Sequence, residues 1–386
     1  MSGRRQRVWA VIAGGGTGGH VYPGLAVAEA LGAGDDPRHS RVHFVVSRRP
    51  LDSEIIVSAG FEATPISARG FRRRLTVANL VAAWALARGV WQCWRLLGRT
   101  APRVVLAQGG YVSAACSMAA RLRGIPVVVL EANATPGAAN RLTARWASAC
   151  AVAHEEANLR GSVRTGLPVR TGIAELHPGT GRGTAANCRN GARAALGVGE
   201  GRRLVLVIGG SQGSTRLNAA VETACDILAE RADLAVRHVT GSAAPELGRV
   251  STSGASGEGL HYKTVPYEHD MPTALAAADL VVSRAGGSAL AELAIAGRAS
   301  LLVPLPGATG DHQSANAGVL ASAGASLVIP ESELSGPRLA TAISDLLVDP
   351  VRLERMQQAA AELGRPDAAR RVAEMLLAAA GEGAGP

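Results

Sequence analysis

The sequence predicts an α/β protein made of two Rossmann-like domains facing a central cleft. Three observations carry this expectation. The chain has 386 residues, enough for two domains that each bury a core of their own. Short β-branched runs alternate with longer Ala/Leu-rich stretches, the pattern of parallel strands joined by helices. Glycine-rich segments recur directly after strand-like runs, where open parallel sheets bind ligands.

Composition narrows the class. Apolar residues make up 47%, yet no uninterrupted apolar run reaches the roughly eighteen residues of a membrane helix, so a soluble chain is expected. The formal charge of +9 comes almost wholly from arginine, because Lys263 is the only lysine. A basic surface attracts anionic lipid, phosphorylated substrate or nucleic acid. Aromatics are only 3% and no recognition helix or stacking motif is visible, so nucleic acid is not expected as a partner. Cys93, Cys116, Cys150, Cys188 and Cys225 show no C-x-x-C and no Cys/His spacing, which argues against a disulfide framework or a structural metal. The basic start, Met1 to Arg7, precedes Val8 to Ala13. That apolar stretch is too short for a signal-peptide core, and a cytosolic chain is expected.

In chain order, strands of a first sheet are expected at Val8–Ile12, His43–Val46, Val104–Ala107, Val127–Leu130 and Ala149–Val152, within a domain spanning 7–170. A second series, Leu204–Ile208, Ala235–Thr240, Leu280–Ser283, Ser300–Val303 and Ser326–Ile329, falls in a domain spanning 201–365. Between them 171–200, rich in Gly, Ala, Arg and Asn and without clear periodicity, is expected as a linker. The tail 366–380 has helical spacing after a break at Gly364-Arg365-Pro366, and is expected to pack back on the first domain.

The first strand runs into Gly14-Gly15-Gly16-Thr17-Gly18-Gly19-His20, with a helix starting near Pro23. Glycines let the backbone approach a ligand, and the helix N-terminus adds N–H donors, so an anion or sugar phosphate fits. Gly14, Gly16 and Gly19 also satisfy G-x-G-x-x-G, which by itself is equally a dinucleotide motif or a tight turn. An NAD enzyme would carry Asp or Glu at the end of the second strand, where this chain has Ser47-Arg48-Arg49. Those arginines leave an NADP oxidoreductase as an alternative.

Further strands end in Gln108-Gly109-Gly110-Tyr111-Val112-Ser113 and in Gly209-Gly210-Ser211-Gln212-Gly213-Ser214. In Ser283-Arg284-Ala285-Gly286-Gly287-Ser288-Ala289-Leu290-Ala291-Glu292 a strand leads through a Gly/Ser turn into a helix. Its turn amides suit a diphosphate, and its carboxylate suits two ribose hydroxyls or a plain helix cap. Gln313 and Asn316 are three residues apart on one helix face, which suits recognition of a hydroxyl-rich sugar.

Seven segments, GGGTGGHVYPGLAVAEAL, GGYVS, GIPVVVLEANATPGAANRL, GLPVR, GGSQGSTRLN, SRAGGSALAELAIAG and DHQSANA, occur in an order and spacing that resemble the MurG family, UDP-GlcNAc-dependent transferases of glycosyltransferase family 28. The resemblance spans most of the chain. It implies a GT-B fold and an inverting reaction with no cofactor and no essential metal. GlcNAc would pass from UDP-GlcNAc to the C4 hydroxyl of the muramyl sugar in undecaprenyl-diphosphate-MurNAc-pentapeptide (lipid I), giving lipid II for peptidoglycan. The implied donor positions are Thr17, Gly18, Gly19, Asn133, Arg170, Ser211, Gly287, Ser288, Ala289, Leu290, Ala291, Glu292 and Gln313. Glu292 would hold the ribose, Glu268 would offer its main chain to uracil, and Gln313 and Asn316 would reach the GlcNAc hydroxyls. The resemblance implies a place at the cytoplasmic face of the plasma membrane, with cell-wall synthesis proteins as expected partners. The chain departs from the family pattern at Leu130-Glu131-Ala132-Asn133, at Leu167 before Pro168 and at Tyr267-Glu268-His269-Asp270-Met271, which bears on the acceptor more than on the donor.

Inverting transfer needs the acceptor hydroxyl deprotonated as it attacks. His20 is the first candidate base, with phosphate orientation as its alternative role, and Glu131 is the second. Stabilisation of the departing diphosphate falls to Ser211, the amides of Gly210 to Gly213 and those around Gly287-Ser288. Membrane contact is expected through Phe71-Arg72-Arg73-Arg74-Leu75 and the segment Val77 to Gly98. There Trp84, Trp91 and Trp94 fall within about 80° of one another at about 100° per residue. Aromatic rings beside snorkelling arginines suit an anionic headgroup layer, and a core helix edged by arginines is the alternative. Two other functional readings share these motifs: a paralogous UDP-sugar transferase acting on another lipid-linked acceptor, and a non-catalytic sugar-nucleotide-binding subunit.

Overall fold

The computed structural model describes residues 8–15, 18–34, 36–37, 39–67, 77–181, 185–210, 212–241, 250–252, 259–307 and 309–382, with the backbone alone at 18, 20, 51, 77–81, 185–188, 250–252 and 309. The chain divides into two units: Met1–Arg170 with Asp367–Pro386, and Thr171–Pro366.

In the first unit β1 (Ala10–Ala13), β2 (Val42–Val46), β3 (Glu62–Pro65), β4 (Val104–Ala107), β5 (Val127–Glu131), β6 (Ala149–Val152) and β7 (Ser162–Arg164) form one parallel sheet. Its order is β3-β2-β1-β4-β5-β6-β7. Between them run α1 (Gly18–Gly32), α2 (Pro50–Ser58), α3 (Val77–Thr100), α4 (Gly110–Leu122) and α5 (Ala138–Thr143). The central strands are buried along their whole length, which explains their continuous apolar runs: helices cover both faces of such a sheet. Val11, Ala13, Val105 and Ala107 share a core with Cys93 and Leu97 of α3 and Ala115 and Ala119 of α4. The small residues of α4 let that helix lie close to the strands.

The second unit repeats the plan. Its strands are β8 (Arg203–Ile208), β9 (Leu234–Val239), β10 (Val250–Thr252), β11 (His261–Val265), β12 (Leu280–Ser283), β13 (Ser300–Leu302) and β14 (Ser326–Val328). They follow the order β10-β11-β9-β8-β12-β13-β14, parallel except for the antiparallel edge pair β10–β11. The helices are α6 (Thr171–Ala174), α7 (Ala185–Leu196), α8 (Thr215–Ile227), α9 (Met271–Ala277), α10 (Gly287–Ile295), α11 (His312–Ser322), α12 (Gly336–Val348) and α13 (Pro350–Leu363). Leu217 and Val221 of α8 and Leu339 and Ile343 of α12 close over Val205, Val207 and Val282.

The segment 171–200, expected as a linker, is part of this second unit. Ala192 and Leu196 of α7, with Val198, pack on Leu204, Ala235 and Ala277. This anchoring stripe is narrow, and the rest of the helix mixes Ala and Gly with Asn and Arg, which hid its period in the sequence. The last helix, α14 (Ala368–Ala379), returns to the first unit. It lies on α1 and along β4, β5 and β6, burying Ala368, Val372, Ala373 and Leu376 on one face. Just beyond it Glu382 accepts the Trp9 indole N–H at 3.2 Å and pairs with His39 at 3.0 Å.

Candidate functional site

Each sheet reverses its order once, between β1 and β4 in the first unit and between β8 and β12 in the second. At such a switch point the loops leaving neighbouring strands diverge and open a crevice at the carboxyl ends. All four of those strands end in the glycine-rich segments.

In the first unit, the loop after β1 hangs from the sheet through Gly14 N–H to Val45 O at 3.1 Å, while Gln108 N–H donates to Ala13 O at 2.9 Å. The two loops touch: a Cβ on Gly110 would lie 3.3 Å from the Gly15 carbonyl oxygen. Gly24, a turn into α1, packs closely: a Cβ there would come within 2.5 Å of Gln108 Nε2 and 3.1 Å of Ile12 and Phe44, so that the Gln108 side chain would have to move. Gly18 and Gly19 open α1. Thr17 and the His20 side chain lie outside the described residues, as does Phe71 to Leu75. The Arg170 guanidinium sits 4.3 Å from the ring centre of Tyr22, two residues after His20 on α1. Arg170 is thus gathered to the same helix end as the first glycine loop.

Glu131 ends β5, and its environment corrects the expectation of a second base. The residue is 2% exposed. Oε1 accepts both the backbone and side-chain N–H of Asn133 at 3.0 Å, and Oε2 accepts Gly137 N–H at 3.0 Å and Asn140 Nδ2 at 2.9 Å. Both oxygens of the Glu131 carboxylate are thus engaged by groups of the chain's own 131–140 loop. Its work is to shape the 131–140 loop and so to orient Asn133. Asn140, which also donates to Leu130 O at 3.1 Å, was not anticipated. Asn140 lies within the short helix α5, which gives no periodic signal that would mark it.

In the second unit, Gly213 has φ of +78°, and a Cβ there would meet Thr240 O at 2.2 Å, so the loop after β8 lies flat against the end of β9. Ser211 within that loop lies outside the described residues. Ser214 caps α8, its Oγ accepting Leu217 N–H at 3.3 Å. Arg284, directly after β12, reaches across the switch point and donates to the same Oγ at 2.5 Å. It also donates to Val303 O at 3.1 Å and ion-pairs with buried Glu331. Sequence reasoning missed this hub. The available signal was an arginine standing alone between an apolar strand and a glycine turn, where only a paired charge is tolerated.

Helix α10 begins at Gly287 behind an extended Gly286 that offers no side-chain cap. The first N–H groups of a helix have no intrahelical acceptor, so Gly287, Ser288 and Ala289 present donors and the positive end of the helix dipole. Ala291 and Glu292 follow one turn on, and Glu292 is half-buried. The side chain of Leu290 is in the core and its N–H donates to Gly286 O at 3.0 Å. Asn316 is corrected. It is 0% exposed, and its Nδ2 donates to Ala285 O at 3.1 Å, so it braces the β12–α10 turn instead of reaching a sugar. Gln313 stays partly accessible, with Oε1 accepting Leu305 N–H at 2.9 Å. Glu268 turns its carboxylate inward, to Arg237 Nε at 2.6 Å and Asp270 N–H at 3.1 Å. Among the described residues no group of three or more His, Cys, Asp or Glu side chains is placed to hold a metal.

Residues 10–152 match the glycosyltransferase family 28 N-terminal domain, and residues 204–372 match its C-terminal domain. A UDP-N-acetylglucosamine--N-acetylmuramyl-(pentapeptide) pyrophosphoryl-undecaprenol N-acetylglucosamine transferase from Desulforudis audaxviator is 38% identical, with 97% of this chain and 99% of the relative covered. Transferases of the same name from Salinibacter ruber (37%, covering 96% of each chain) and Alkalilimnicola ehrlichii (38%, covering 95% and 98%) are similarly close. The chain belongs to the MurG family. The crystal structure of MurG from Acinetobacter baumannii superposes with a TM-score of 0.72 at 26% identity, over 97% of this chain and 99% of that one. A UDP-GlcNAc 2-epimerase from Neisseria meningitidis shares the fold at 14% identity, with a TM-score of 0.65. In this MurG-family chain the C-terminal family match runs into α14, the helix that packs on the first unit.

Proposed function

We propose that the chain transfers GlcNAc, with inversion, from UDP-GlcNAc to the C4 hydroxyl of the muramyl sugar in undecaprenyl-diphosphate-MurNAc-pentapeptide, making lipid II. The observation that carries this reading is the pair of glycine loops at the switch point of each sheet, in a chain collinear with transferases of that name. In the second unit the helix N-terminus at Gly287, Ser288 and Ala289 and the loop Gly210–Gly213, with Ser211, take the diphosphate. Glu292 takes the ribose, the main chain at Glu268 takes uracil, and Gln313 takes the sugar. In the first unit His20 accepts the proton of the acceptor hydroxyl, while Thr17, Gly18, Gly19, Asn133 and Arg170 complete the substrate contacts.

The acceptor oxygen forms its bond to C1 of GlcNAc as the bond from C1 to the β-phosphate oxygen breaks. The electron pair leaves on UDP, and the proton passes to imidazole. Helix N-termini and loop amides stabilise the charge that develops on the diphosphate without rearranging. Lipid-linked acceptor implies a membrane surface. Helix α3 carries Trp84, Trp91 and Trp94 at 64%, 54% and 43% exposure, with Arg88, Arg95 and Arg123 over their rings at 5.5, 4.8 and 4.0 Å. No helix among the described residues is long and apolar enough to cross a membrane. The tryptophans with their arginines support peripheral attachment to anionic lipid, which the family resemblance would set at the cytoplasmic face.

A coupled assay of UDP release tests the reading. Release that depends on a lipid I analogue is the expected result. Release that is equal without the acceptor, or absent with it, contradicts it.

A further inference from the structure

At the edge of the second sheet opposite the glycine loops, where β8, β12 and β13 begin, the second unit contains a cavity of about 920 Å³. Its walls are basic. Arg189 and Arg193 enter from α7, Arg203 opens β8, and Arg298 stands two residues before β13.

A single buried carboxylate faces them. Asp279 ion-pairs with both Arg189 and Arg193 and accepts Leu204 N–H at 2.7 Å. Arg298 donates only to carbonyls, Ala296 O at 2.8 Å and Ala278 O at 2.9 Å, and pairs with no carboxylate among the described residues. Burial, reinforced by Arg189 and Arg193 and opposed by Asp279, lowers its pKa to about 10. The Nε–H of Arg189 is buried with no acceptor. Glu354 and Glu362 of α13 also line the cavity, but both are exposed to solvent, where their charge is screened. The guanidiniums of Arg189, Arg193 and Arg298, partly buried at this end of the sheet, thus outnumber the carboxylate of Asp279 by two charges. Partly buried charge of that kind calls for a counter-charge.

We propose that this cavity is a second anion site, remote from the donor loops, whose ligand is a doubly charged, phosphate-bearing small molecule. Two uncompensated charges match a phosphate monoester or diphosphate, whereas a lone carboxylate supplies one. Guanidinium forks bind phosphate oxygens in pairs. The volume exceeds what inorganic phosphate fills and lies in the range of small-ligand pockets, so an organic phosphate fits.

Calorimetric titration of inorganic pyrophosphate into the full chain, with one equivalent of UDP present to fill the donor loops, tests this. The expected result is one-site binding that weakens about tenfold or more in Arg193→Gln and in Arg298→Gln, as expected for loss of a charge-assisted fork. It persists in Glu292→Ala. A parallel titration with a phosphate monoester such as glucose 1-phosphate separates an organic ligand from a free ion by tighter binding. Arg193 lies on a helix surface with its side chain 22% exposed, so its variant keeps the test decisive if Arg298→Gln does not fold. No pyrophosphate binding to the wild-type chain, binding indifferent to Arg193→Gln, or binding lost in Glu292→Ala would overturn the proposal.

Discussion

Arg284 Nη2 donates to Ser214 Oγ at 2.5 Å, and this bond joins the two glycine loops that leave β8 and β12. With its ion pair to Glu331 and its bond to Val303 O, Arg284 ties three loops to one guanidinium. Replacing it by Met leaves buried Glu331, among the described residues, with only the exposed Arg216, at 3.5 Å, as a counter-charge. That defect is expected to lower stability by about 3–5 kcal/mol. Urea unfolding measures it, and the KM for UDP-GlcNAc should rise as the loops lose their register. Arg284→Lys, which keeps charge but loses the fork, should fall between wild type and Met. A Met variant with unchanged unfolding midpoint and KM would show that the loops hold themselves.

Glu131→Gln separates a shaping role from a basic one. Glutamine keeps one acceptor oxygen and turns an N–H₂ towards donors that now have no acceptor. The expected penalty is about 2–4 kcal/mol, visible as a lower unfolding midpoint together with reduced activity. The pH profile of kcat/KM should keep its acidic limb. A variant of normal stability that lost that limb would return Glu131 to the role of base.

His20→Gln should reduce kcat by about a hundred- to ten-thousandfold, the usual contribution of a general base, with the KM for donor changed little. Steady-state kinetics over pH checks this. Near-normal turnover would mean that His20 only orients a substrate group.

Much of this was readable in the sequence because buried parallel strands are uninterrupted apolar runs. β1, β4, β5, β8 and β12 announce themselves in that way, and the glycine loops follow directly. β3, β7, β10 and β11 did not. β3 and β7 are short and half-exposed, with Pro65 closing one and Arg164 the other, while β11 alternates burial residue by residue beside the sheet edge. Pairing with an already formed neighbour stabilises such strands, a long-range cause that local pattern cannot carry. Within the site, the residue types were legible and their directions were not. Asn316 and Glu131 look alike in sequence whether they face a ligand or brace a loop. Only the positions of Ala285 O, Gly137 N and Asn140 decide.

Stability should fall in mild acid. His238 is buried between the Tyr262 hydroxyl at 2.8 Å and Asn218 Oδ1 at 3.1 Å, and burial lowers its pKa from 6.5 to about 4. The fold thus excludes a proton that the unfolded chain accepts. Its stability is intact above the unfolded pKa and is lost as pH falls from about 6.5 towards 4, by about 3 kcal/mol in all. Burial lowers His43 and His154 as well, in the same sense. Unfolding midpoints at neutral pH and at pH near 5 should differ less in His238→Gln than in wild type. Equal differences would remove His238 as the cause.

The exposed tryptophans of α3 should matter for lipid and not for folding. Replacing Trp84, Trp91 and Trp94 together by Ser is expected to abolish co-flotation with phosphatidylglycerol vesicles while changing stability little, since substitutions at exposed sites rarely exceed about 0.5 kcal/mol each. Wild-type chain that ignores anionic vesicles would contradict the membrane assignment.

Isolation of the product from UDP-GlcNAc and a lipid I analogue tests the central claim most directly. The account predicts a single disaccharide in which GlcNAc is β-linked to the C4 oxygen of the muramyl sugar. An α-linkage, attachment elsewhere, or transfer only to a different lipid-linked sugar would contradict it.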